Sequence, residues 1–135
     1  LCKFNFAIKE TNEMPELRPD LNGVRVKLPN QPHIYLIDEG KKRHIPDPPT
    51  YNSLFRSWEG IVEDLDVNDI ETGTTITPGS VIATGDATPH VYLIDGRSKR
   101  HIVSPAVMDK YHFRWPTQPV PQAVIDGIPT GAAIS

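Results

Sequence analysis

Residues 33–45 read H-I-Y-L-I-D-E-G-K-K-R-H-I, and residues 90–102 read H-V-Y-L-I-D-G-R-S-K-R-H-I. Nine of these thirteen positions are identical at an offset of 57 residues. Each stretch joins a β-branched and aromatic run to a basic run through a short turn. The turns hold Asp38-Glu39-Gly40 and Asp95-Gly96, residues that tolerate positive φ and close hairpins. The predicted strands are 34–37 with 42–45, and 91–94 with 99–103.

The similarity extends in both directions. Upstream, Gly23-Val24-Arg25-Val26 has a counterpart in Gly79-Ser80-Val81-Ile82, which predicts a preceding short strand at 24–28 and at 80–84. Downstream, Pro48 maps to Pro105 and Trp58 to Trp115. After a one-residue shift, Ile70, Gly73 and Ile76 map to Ile128, Gly131 and Ile134. A helix is expected after each hairpin, N-capped by Asp47 or Ser104 with proline in its first turn. Tyr51, Leu54, Phe55 and Trp58 recur at helical spacing, as do Met108, Tyr111, His112 and Trp115, so these residues read as apolar faces directed at a core. Gly60 and Pro116 are the expected stops. An extended stretch should close each unit, carrying Val67 and Ile70 or Val124 and Ile128.

The expected fold is mainly β with short helices (α+β). Two tandem hairpin-plus-helix repeats, 21–76 and 77–135, form one pseudo-twofold domain, since one unit alone buries too little surface. Residues 1–20 lie outside the duplication. Within them Phe4, Phe6 and Ile8 alternate with Asn5 and Ala7, which reads as an edge strand or one lent to a neighbouring chain in a homo-oligomer.

Composition narrows the function classes. A chain of 135 residues with 38% hydrophobic content suits a single domain. Its 14 prolines favour short strands and ordered loops over long helices. A net charge of −3 argues against a nucleic-acid partner, and no apolar run is long enough for a membrane span. The lone Cys2 cannot form an internal disulfide. The chain opens on Leu1 rather than Met, which reads as a processed or excised form.

The Tyr-Leu-Ile-Asp run, the glycine turn, the Lys-Arg-His-Ile run and the following proline and aromatic-rich helix resemble a tandem repeat of secreted and cell-surface proteins, often bacterial. In that repeat an aromatic often replaces His44 or His101. The resemblance covers about 23–76 and 80–134. It implies a non-enzymatic module, secreted or at the cell surface, with no activity assigned to the pattern.

Two readings of the repeated polar set stand side by side. Asp38, Lys42, Arg43 and His44 beside Tyr35, and Asp95, Lys99, Arg100 and His101 beside Tyr92, suit two pseudo-equivalent carbohydrate sites. Sugar hydroxyls want both donors and acceptors, and their C–H faces stack on aromatic rings. The other reading is ordinary turn chemistry with Lys-Arg protection of a strand edge. His33, His44, His90, His101 and His112 show no metal-ligand spacing, so no metal or other cofactor is expected. Glu63, Asp64 and Asp66 lie in a run without the EF-hand glycine and closing glutamate. Nucleophile, phosphate-loop and dinucleotide motifs are missing. The function expected is a lectin-like module for a carbohydrate or cell-surface glycan; the alternative is a structural or self-assembly scaffold.

Overall fold

The computed structural model describes residues 14–135. Cys2 and the expected strand over 4–8 lie outside the described residues. Seven strands in two sheets and three short helices make the fold mainly β, of the α+β kind, among those residues. Two compact units divide them. One holds the chain through His44 with Gly60–Thr75; the other holds Ile45–Glu59 with Ile76–Ser135.

The first unit contains β1 (Arg25–Lys27), β2 (Tyr35–Asp38), β3 (Lys41–His44) and β4 (Val62–Glu63), in the order β3-β2-β1-β4. The β1/β2 and β2/β3 pairs are antiparallel, and β4 runs parallel to β1. Val26, Ile37, Val67 and Ile70 form its buried core, packed by Leu21, Val24, Leu28 and Tyr35.

The second unit contains α1 (Pro48–Leu54), β5 (Val81–Thr84), β6 (Val91–Asp95), β7 (Ser98–Ile102), α2 (Pro105–Lys110) and α3 (Gln122–Asp126). Its sheet is antiparallel in the order β5-β6-β7. Tyr51, Leu54, Phe55, Met108, Tyr111 and Phe113 are buried. The Tyr51–Phe55, Phe55–Phe113 and Tyr111–Phe113 ring centroids lie 4.8, 5.8 and 5.2 Å apart.

The two hairpins share a register. Tyr35 faces His44 and Asp38 faces Lys41; Tyr92 faces His101 and Asp95 faces Ser98. Both loops have two residues. Glu39 and Gly40 both have positive φ, 54° and 76°, as a type I′ turn requires, whereas Gly96 alone, at 65°, does so in the second loop.

Two local expectations change. First, the helices are shorter than their apolar spacing suggests: α1 stops at Leu54 and α2 at Lys110. The backbone leaves α1 at Phe55 to form an antiparallel bridge with Phe113. The Arg56 amide donates to the His112 carbonyl at 3.1 Å and the Arg114 amide to the Leu54 carbonyl at 2.7 Å. Leu54 and Tyr111 are core residues as expected, but Trp58 and Trp115 lie beyond the helices and are 47% and 46% exposed. Second, Val67 begins a single 3-10 turn, Val67–Asp69, and Val124 lies in α3, so neither is in extended chain. α1 follows the first hairpin in sequence and packs in the second unit. Its buried face is fixed there by backbone and hydroxyl groups. The Ser53 hydroxyl donates to the Ser80 carbonyl at 2.6 Å, and the Gly79 amide donates to Thr50 Oγ1 at 3.0 Å.

Candidate functional site

The charged members of the two repeated sets are engaged in structure. In the first unit, Lys42 is 7% exposed and its Nζ donates to the Ile70 carbonyl at 2.7 Å. Arg43 Nε donates to the Thr74 carbonyl at 2.9 Å, and its Nη1 pairs with buried Asp38 at 3.0 Å. In the second unit, Lys99 Nζ donates to the Ile125 carbonyl at 2.7 Å and Arg100 Nε to the Ala132 carbonyl at 2.8 Å. Asp95 accepts the Thr77 amide at 3.0 Å and the Ser80 hydroxyl at 3.3 Å. Burial lowers the Lys42 pKa, and the negative charge of Asp69 partly restores it.

These side chains fasten the segment that closes each hairpin. Residues 71–73 run parallel to β3, with the Lys42 amide bonded to the Glu71 carbonyl and the Gly73 amide to the Lys42 carbonyl. Residues 129–131 treat β7 the same way through Lys99 and Gly131. The closing segment approaches so closely that a Cβ on Gly73 would stand 3.0 Å from Lys41 Cβ. One on Gly131 would stand 3.3 Å from Arg100 Cγ. The basic runs therefore hold a covering segment by its carbonyls, instead of guarding a bare edge.

The rings of the repeated set are more accessible. His33 is exposed, and Tyr35 and His44 are half-buried. The His33–His44 and Tyr35–His44 centroids lie 5.1 and 5.6 Å apart. In the second unit His90 is exposed, and Tyr92 and His101 are half-buried. The His90–His101 and Tyr92–His101 centroids lie 4.7 and 5.6 Å apart. Beneath each tyrosine is the clamped lysine, with Lys42 Nζ 6.0 Å from the Tyr35 centroid and Lys99 Nζ 5.4 Å from that of Tyr92. Burial first, and the neighbouring imidazole second, lower the pKa of both His44 and His101. At neutral pH both rings are then predominantly uncharged.

The second unit opens a cleft of about 330 Å³ beside this patch, lined by His90, His101, Val103, Pro105, Met108 and Trp115 among others. Its walls are mostly apolar, and His90, His101 and Ser104 are among its polar residues. Trp115 also borders a second cleft of about 250 Å³, with Ser53, Arg114, Pro116 and Gln118. Trp58 is fixed differently: it stacks on Tyr51 at 3.9 Å between centroids, and its Nε1 donates to Asn52 at 2.8 Å. Helical periodicity places Trp115 in the core and misses this cleft. The available signal was the preference of tryptophan for partial burial.

His112 is apart from the paired rings, with Nε2 3.0 Å from Ser57 Oγ. Among the described residues, no three His, Cys, Asp or Glu side chains converge on one point as a metal cage would need. No helix among them is long and apolar enough to cross a membrane. Comparison with family models, with curated proteins and with solved structures finds no match to this chain.

Proposed function

We propose that this chain is a non-enzymatic, lectin-like binding module, duplicated in sequence, that takes a carbohydrate through ring surfaces. The carrying observation is the cleft of about 330 Å³ in the second unit, where half-exposed Trp115 meets His90 and His101. A pyranose offers C–H faces to an indole and hydroxyls to imidazole nitrogens. The cleft supplies both on a rigid hairpin and helix, so little ordering is needed on binding. The first unit presents His33, Tyr35 and His44 as a related patch. Two weak contacts on one chain gain avidity against a glycan bearing several copies of the same sugar. Such a role fits a secreted or cell-surface location, in line with the repeat that the sequence resembles.

The clamped geometry changes which residues carry the proposal. Asp38, Lys42, Arg43, Lys99 and Arg100 shape the platform, and Asp95 anchors the start of β5. Tyr35, His44, Tyr92 and His101 remain as candidate contacts, joined by Trp115. A self-assembly scaffold is the second reading. It needs open strand edges, whereas β3 and β7 each have a parallel segment along them. Calorimetric titration with mono- and oligosaccharides tests the proposal. Binding that weakens at least tenfold in Trp115→Ala supports it. Heat for no sugar, together with self-association in sedimentation, favours the scaffold.

A further inference from the structure

We infer that each hairpin carries an open two-imidazole site for a first-row divalent ion of the Zn²⁺, Ni²⁺ or Cu²⁺ type, His33 with His44 and His90 with His101. The spacing of the rings is the first ground. A metal–nitrogen bond of about 2.0–2.1 Å puts a ring centroid about 3.2 Å from the ion. Two imidazoles sharing one ion at angles of about 90–110° then have centroids about 4.5–5.2 Å apart. The observed separations, 5.1 Å for His33–His44 and 4.7 Å for His90–His101, fall inside that interval. Neither pair is parallel: the interplanar angles are 75° and 43°.

The second ground is that the same pair is built twice. In each hairpin one histidine lies two residues before a strand tyrosine, and the other sits directly across from that tyrosine. His33 and His90 lie just before the strands, and the ring contacts bring each against the histidine across from the tyrosine. The clamped lysine lies below each tyrosine. Third, none of the four rings has a hydrogen-bond partner among the described residues, so within those residues their nitrogens are available to an ion. Imidazole is a borderline ligand that selects these ions over Mg²⁺ or Ca²⁺. With two protein ligands, the remaining positions belong to water or to an outside donor, so the site is exchangeable and does not hold the fold together. The inference uses histidines that the proposed sugar surface also uses, but it needs no sugar and is tested in the absence of one.

Its test is calorimetric titration of the whole chain, carrying Cys2→Ser to remove the thiol, with ZnCl₂ and separately with CuCl₂ in chelator-free buffer. Two equivalents should bind, one per hairpin. His44→Gln should leave one, and His44→Gln with His101→Gln should weaken what remains at least tenfold, with an unchanged circular dichroism spectrum. His112→Gln should leave the stoichiometry at two. Electron paramagnetic resonance of the Cu²⁺ form should show two coupled nitrogens per ion. Affinity no better than that of free imidazole, or a stoichiometry indifferent to the double variant, would overturn the inference and leave the pairs as ring packing alone.

Discussion

Lys42 and Lys99 bring charged ammonium groups to backbone carbonyls that the fold has removed from water. Replacing either by methionine keeps the stem but strands a carbonyl, at a cost of about 1–3 kcal/mol. Urea unfolding should show that loss in Lys42→Met and in Lys99→Met. An unchanged midpoint would mean that the charges serve only a ligand. Gly73→Ala and Gly131→Ala should cost about 1–3 kcal/mol each by overpacking, more at Gly73, where the approach is tighter. Truncating the tryptophan and leucine of the first helical run separates core from surface. Leu54→Ala should lose about 2–5 kcal/mol, and Trp58→Ala about 0.5–1.5 kcal/mol from its ring contact with Tyr51. Sequence reading identified Leu54 and Tyr111 as core but misplaced both tryptophans, because the 3.6-residue period holds only while the helix lasts. It also found the Lys-Arg pairs without finding their partners. Those partners are backbone carbonyls, which every residue has and which leave no mark in a sequence.

Hairpins and caps were the most legible elements. The apolar runs, the turn residues and the order strand, hairpin, helix all follow from local chemistry, while the loops are shorter, at two residues each, than the sequence suggested. What escaped was how each unit ends, since a 3-10 turn at Val67–Asp69 and the helix α3 arise from packing against the hairpin more than from any strong periodicity. The two N-caps allow a paired measurement. Asp47 accepts the Thr50 amide at 2.8 Å, and hydrogen bonding from Thr50 lowers its pKa below 3.8. The folded state therefore favours the ionised form. That stabilisation is fully present above about pH 3.8 and is lost as the pH falls through the lower folded value. Asp47→Ala should remove this contribution at neutral pH and flatten the acid side of a stability profile between about pH 5 and pH 2. Ser104 caps α2 through the Val107 amide with no titrating group. Ser104→Ala should cost about 1 kcal/mol at either pH.

At the scale of the whole molecule, α1 follows the first hairpin in sequence and packs in the second unit. The spacing of α1 said that it would be buried, but not against what. The aromatic residues just past α1 and α2 suit each other, and only the folded chain brings Phe55 to Phe113. Residues 77–135 alone should therefore fail to give dispersed amide resonances, while residues 45–135, which restore α1, should give them. The proposed function involves a similar displacement. The repeated lysines and arginines bond to backbone carbonyls of the closing segments, and the proposal places binding on the rings beside them. The most direct test of that claim is one calorimetric comparison against an oligosaccharide selected from a panel by the intact chain. Trp115→Ala should weaken binding at least tenfold while leaving unfolding in urea nearly unchanged. A sugar affinity that survives Trp115→Ala, or no measurable binding by the intact chain to any sugar, would contradict the account.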